Sequence, residues 1–88
     1  MKTILFYWSR GADTRVKILR LIGKCEKSGK ACYINTLAKE ISLSHVAIKK
    51  HLGLLLEEGY VKILNPSGKP KFLALTSEGK KTFREFSR

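Results

Sequence analysis

The side chains best suited to chemistry in this sequence are cationic or hydrogen-bonding, and they gather in two short stretches. Ser44, His45, Val46, Lys49, Lys50 and His51 form the first, and Asn65, Ser67, Lys69 and Lys71 the second. Ammonium, hydroxyl and amide donors at this density suit an anionic, acceptor-rich surface. Nucleophilic and acid–base chemistry have far less support. There is no Ser/His/Asp set, no glycine-rich phosphate loop and no H-E-x-x-H pattern, and the seven carboxylates are scattered among eighteen Lys and Arg.

Cys25 and Cys32 are the two cysteines. Their spacing is not a zinc-knuckle pattern, and no further Cys could complete a tetrahedral site. They read as small, semi-buried apolar residues, with a disulfide, metal binding or redox sensing as the alternatives. The expectation is a chain that is not an enzyme, with no catalytic residue, metal or cofactor.

Composition narrows the partner. The 88 residues carry a net charge of +11 and 43% apolar residues, enough for one folded domain over 1–88 and no second core. A charge excess of this size opposes folding by self-repulsion and serves an anionic partner, either nucleic acid or an anionic membrane surface. The cations recur on nearly every segment, which favours a folded domain with a basic face over a polybasic tail. The run Ile4-Leu5-Phe6-Tyr7-Trp8 is too short for a signal peptide and no stretch approaches a membrane span, so a cytoplasmic protein without a membrane partner is expected.

The elements that must hold the two stretches follow from periodicity. An apolar first helix, Thr3 to Ser9, ends at Gly11. A second, capped by Asp13 or Thr14, repeats Val16, Ile18, Leu19, Ile22 and Cys25 at helical spacing and ends at Ser28-Gly29. Ala31 to Ile34 favours a short strand, and Asn35 or Thr36 caps a helix to Ile41. After a three-residue turn, Ser42-Leu43-Ser44, a longer helix spans 44–58 and Gly59 closes it. Strands at Tyr60–Leu64 and Lys71–Leu75 flank the turn residues Asn65-Pro66 and Ser67-Gly68, and Thr76 caps a last helix bearing Phe83 and Phe86.

Two helices across a three-residue turn make a helix-turn-helix, and the hairpin after them makes a wing. The fold class expected is α+β, mainly α: a winged helix-turn-helix with a small three-stranded antiparallel sheet and terminal helices. Advancing 100° per residue from Ile48, Leu52 and Leu55 stay within about 40° of the buried direction, while Val46, Lys49, Lys50 and Gly53 cluster opposite. Such a helix suits the DNA major groove: lysine can donate to guanine O6 and N7, and an exposed valine can meet a thymine methyl. Ser44 adds a donor at a helix start that favours phosphate. His45 lies near the exposed tip. His51 borders the core, with a backbone-bonding role and a phosphate contact equally open. Asn65, Ser67, Lys69 and Lys71, in a wing over 65–71, would reach the flanking backbone or the minor groove.

These same residues carry a resemblance. Ala12-Asp13-Thr14-Arg15-Val16-Lys17-Ile18-Leu19, then Leu37-Ala38-Lys39-Glu40-Ile41, Leu43-Ser44, Lys50-His51-Leu52 and Gly59-Tyr60-Val61, resemble the text of arsenic-repressor-type (ArsR) regulators. Leu75-Thr76-Ser77-Glu78-Gly79 is similar to the L-T-x-x-G of multidrug-resistance-repressor-type (MarR) winged helices. The resemblance covers about residues 10 to 80 and implies a transcription regulator that dimerises through its terminal helices, where Ile4 to Trp8, Phe83 and Phe86 offer more apolar rings than one small core is expected to absorb. Ser42 departs from it, standing where these families often place Gly; a left-handed residue there would cost about 1 kcal/mol. The paired cysteines of metal-sensing members are missing, so metal sensing is not implied.

The function expected is a sequence-preferring regulator of transcription that binds double-stranded DNA as a homodimer. A protein-docking winged-helix module of the transcription or RNA machinery and a nonspecific chromatin-type DNA binder are the alternatives.

Overall fold

The computed structural model describes residues 11–86. The apolar run at residues 4–8, the expected first helix and its part in dimerisation lie outside them. The elements in chain order are α1 (Ala12–Ser28), α2 (Ile34–Ile41), α3 (His45–Glu57), β1 (Val61–Ile63), β2 (Leu73–Leu75) and α4 (Ser77–Phe86).

One core gathers a contribution from every element. Ile18, Leu19 and Ile22 come from α1, Leu37 from α2, Ile48, Leu52 and Leu55 from α3, Val61 from β1, Leu73 and Leu75 from β2, and Phe83 from α4. Each such aliphatic side chain contributes about 1.5–3 kcal/mol by leaving water. The apolar spacings on α1 and α3 are thus the ones that bury.

The three helices before the hairpin end alike. Gly29 and Gly59 take the left-handed conformation, at φ 70° and 82°. In α1 the N–H of Gly29 reaches the Glu26 carbonyl and that of Lys30 the Cys25 carbonyl, at 3.2 and 2.9 Å. In α3 Gly59 bonds Leu56 and Tyr60 bonds Leu55 at the same distances, so the last carbonyls of both helices have donors. Ser42 closes α2 with φ 63°, the one left-handed residue besides glycine among those described. The tight turn to α3 demands that conformation, and a side chain there is disfavoured by about 1 kcal/mol or more.

The helix starts differ from expectation. Gly11, itself left-handed, precedes α1 with no side-chain cap, so neither Asp13 nor Thr14 serves as one. Likewise α2 begins at Ile34 behind Tyr33 without a side-chain cap, which places Asn35 and Thr36 in its first turn instead of ahead of it. Ser44 does cap α3, its Oγ accepting from the Ala47 N–H at 3.2 Å.

The sheet has two antiparallel strands, with Val61 opposite Leu75, Lys62 opposite Ala74 and Ile63 opposite Leu73. The expected third strand is reduced to one ladder bond, Leu73 N–H to the Cys32 carbonyl at 2.8 Å. With α1 ending at Ser28 and α2 starting at Ile34, too little extended chain is left for a second.

After the hairpin, Thr76 bonds in three directions. Its hydroxyl donates to the Gly59 carbonyl and accepts from the Gly79 N–H at 3.0 Å, and its own N–H reaches the Tyr60 carbonyl at 3.1 Å. A Cβ on Gly79 would run into that same Tyr60 carbonyl oxygen. The Leu75-Thr76-Ser77-Glu78-Gly79 stretch therefore docks the start of α4 onto the start of the hairpin.

Phe83 corrects one expectation. Its ring lies over Gly23 of α1, where a Cβ would collide with it, and it is buried within its own chain with the Lys27 ammonium 5.5 Å from its centroid. It is not left over for a partner subunit; Phe86 is half-buried.

Candidate nucleic-acid interface

The exposed face of α3 follows from what its buried face must do. With Ile48, Leu52 and Leu55 committed to the core, His45, Val46, Lys49 and Lys50 point to solvent. Val46 is the most exposed of the large apolar residues described, at 78%. Ser44, exposed, holds the first turn of the helix together.

The hairpin loop is built around Asn65. Its side-chain amide donates to the Pro70 carbonyl at 3.0 Å, and its Oδ1 accepts from the Phe72 N–H at 2.7 Å. The Gly68 N–H returns to the Asn65 carbonyl at 2.9 Å. Asn65 is thus engaged at both ends inside the loop. Ser67, Lys69 and Lys71 are exposed on it.

Lys49 comes together with Lys69 and Lys71 along a cleft of about 320 Å³, completed by Tyr33, Ile34, Asn35, Gly68 and Pro70. Three lysines and no carboxylate line it. The Tyr33 ring meets Phe72 edge-on, centroids 5.9 Å apart, and so ties the start of α2 to the base of the loop. A neighbouring concavity runs from Tyr33, Asn35 and Thr36 past Lys39 and Glu40 to His45. Tyr33, Asn35, Thr36 and Lys39 join this face without standing out in the sequence. The spacing Ile34, Leu37, Ala38, Ile41 was the signal that could have found them, because it starts the helix at Ile34 and turns Asn35 outward.

His51 sits apart from this face. Half-buried, it accepts a hydrogen bond from the buried Arg15 of α1, Nη1 to Nδ1 at 3.1 Å. Burial, then the charges of Arg15 and Lys50, push its pKa below the ordinary value. The imidazole therefore favours its neutral form, joining α3 to α1.

No disulfide joins Cys25 and Cys32. Burial, reinforced by Cys25 and Glu26, pushes the Cys32 thiol up to about 12, which leaves it a poor nucleophile at neutral pH. Among the described residues no three His, Cys, Asp or Glu side chains are grouped to hold a metal ion. No helix among them is long and apolar enough to cross a membrane.

No protein-family model matches the sequence, and no curated protein matches it. Solved structures do. A double mutant of ZitR from Lactococcus lactis superposes with a TM-score of 0.69 at 21% identity, over 85% of this chain and 49% of that one. The reduced form of MarR from E. coli gives 0.67 at 22% identity, over 81% and 51%. A mutant of MepR from a multidrug-resistant S. aureus clinical isolate gives 0.73 at 15% identity, over 99% and 70%. The chain thus spans about half the length of the ZitR and MarR chains. At these identities the likeness is one of fold, and the fold shared is the winged helix-turn-helix of MarR-type regulators.

Proposed function

We propose that this chain binds double-stranded DNA with a sequence preference, as the DNA-binding part of a transcription regulator. In this reading α3 enters the major groove, where Lys49 and Lys50 donate to base edges or phosphates and Val46 meets a thymine methyl. Ser44 and His45 take the phosphates at the helix start. Lys69, Lys71 and Ser67 follow the flanking backbone, with Asn65 shaping the loop that carries them. His51 has its Nδ1 engaged by Arg15, so a phosphate contact falls to its other ring nitrogen.

The observation that carries the reading is Val46. It is an apolar side chain left 78% exposed among lysines, on a helix whose other face fills the core. A binder working by charge alone gains little from it, and a protein-docking surface would need more apolar neighbours. Two chains related by a two-fold axis would set their α3 helices about 34 Å apart, in successive major grooves. A regulator of this kind acts in the cytoplasm.

Selection of bound duplexes from a random pool at physiological salt tests the proposal. We expect an enriched, near-palindromic motif. Efficient recovery of duplexes with no enrichment would leave a charge-only binder, and no recovery would end the nucleic-acid reading.

A further inference from the structure

One glycine of α3 meets no other part of the fold among the described residues. Gly53 lies inside the helix and is exposed, and a Cβ built on it would meet nothing within 4 Å among the described residues. Gly23 and Gly79 differ, since the Phe83 ring and the Tyr60 carbonyl occupy the space a side chain would need. Nor does Gly53 have the positive φ of Gly29 and Gly59. Glycine in a helix interior is worse than alanine because it gives up more backbone freedom on folding. At Gly53 neither packing nor backbone geometry offsets that loss.

Position explains what the fold does not. Gly53 follows Lys49 by four residues, Lys50 by three and Val46 by seven, so all four share one face of α3. Seven residues of helix span about 10 Å. That is close to the width of the major groove, about 12 Å. A helix that crosses the groove with Val46 and Lys49 over its floor would meet a sugar-phosphate strand near Gly53.

We infer that Gly53 is the point of closest approach between α3 and a DNA strand, a positioning residue whose missing side chain lets Val46 and Lys49 sit deeper in the groove. This rests on the DNA-binding reading above. It identifies which part of the duplex passes that turn of the helix, and it assigns a reason to a residue that costs the fold stability.

Gly53→Ala and Gly53→Leu separate the two roles, because both replacements favour helix. Thermal melts of the full chain are compared with anisotropy titrations against the duplexes that the wild type enriches from a random pool. Gly53→Ala is expected to raise Tm by about 4–8 °C. Its Kd is expected to rise about tenfold or more, and that of Gly53→Leu further, the loss of roughly one close contact. Unchanged Kd in both variants would overturn the inference alone. A lower Tm in Gly53→Ala would overturn it too, by showing that the fold itself requires glycine there. A wild-type chain that binds no duplex would overturn the DNA reading, and this inference with it.

Discussion

Across 36 positions of sequence, Arg15 Nη1 donates a hydrogen bond of 3.1 Å to Nδ1 of His51, joining the first described helix to the helix that carries the exposed lysines. The bond needs a bare nitrogen on the imidazole and so exists only in its neutral form. Because burial and then Arg15 and Lys50 lower the pKa of His51 below 6.5, the folded chain holds fewer protons there than the unfolded one. Its contribution to stability is complete above the unfolded value and is lost as pH falls through the lowered folded value.

We therefore expect the Tm of the wild type to drop by a few degrees as pH falls from about 7 to about 5. His51→Gln keeps an acceptor within reach of Arg15 but does not titrate, so its Tm should change less over that window. Equal slopes in the two proteins would show that the pair does not contribute.

Gly79→Ala tests the joint between hairpin and α4. A methyl group there meets the Tyr60 carbonyl oxygen, which is backbone and cannot swing aside. We expect a loss of about 1–3 kcal/mol in chemical denaturation, the usual cost of overpacking. A variant as stable as the wild type would mean that the joint yields freely.

Asn65→Ala tests whether the loop is held by one side chain. Its removal leaves the Phe72 amide without the acceptor it reaches at 2.7 Å. Amide exchange at Phe72 should speed up by about tenfold, the equivalent of one lost hydrogen bond. Duplex affinity should fall alike on all sequences. Unchanged exchange with weakened binding would make Asn65 a direct contact instead.

What could be read from the sequence was whatever depends on local periodicity and punctuation. Ile48, Leu52 and Leu55 mark the buried side of α3, Ser44 its cap and Gly59 its end, all through short-range rules. Thr76 was legible as a cap for the same reason. Ala31 to Ile34 reads as a strand because its residues favour β structure, whereas Ile34, Leu37 and Ile41 are needed on one helical face. The caps expected at Asp13 and Asn35 failed because the backbone enters both helices without side-chain help. The burial of Arg15 against His51 and of Phe83 over Gly23 could not be read at all, since each depends on residues far apart in sequence.

The most direct test of the central claim is a pair of titrations, Lys49→Ala and Lys69→Ala, each against an enriched duplex and a scrambled one over a range of salt. Base reading by α3 predicts that Lys49→Ala costs about 1–3 kcal/mol on the enriched duplex and narrows the preference between the two. Lys69→Ala should weaken both duplexes alike and reduce the log–log salt slope by about one. Identical behaviour of the two variants on both duplexes would contradict base reading by α3, and a wild-type affinity indifferent to salt would contradict DNA binding altogether.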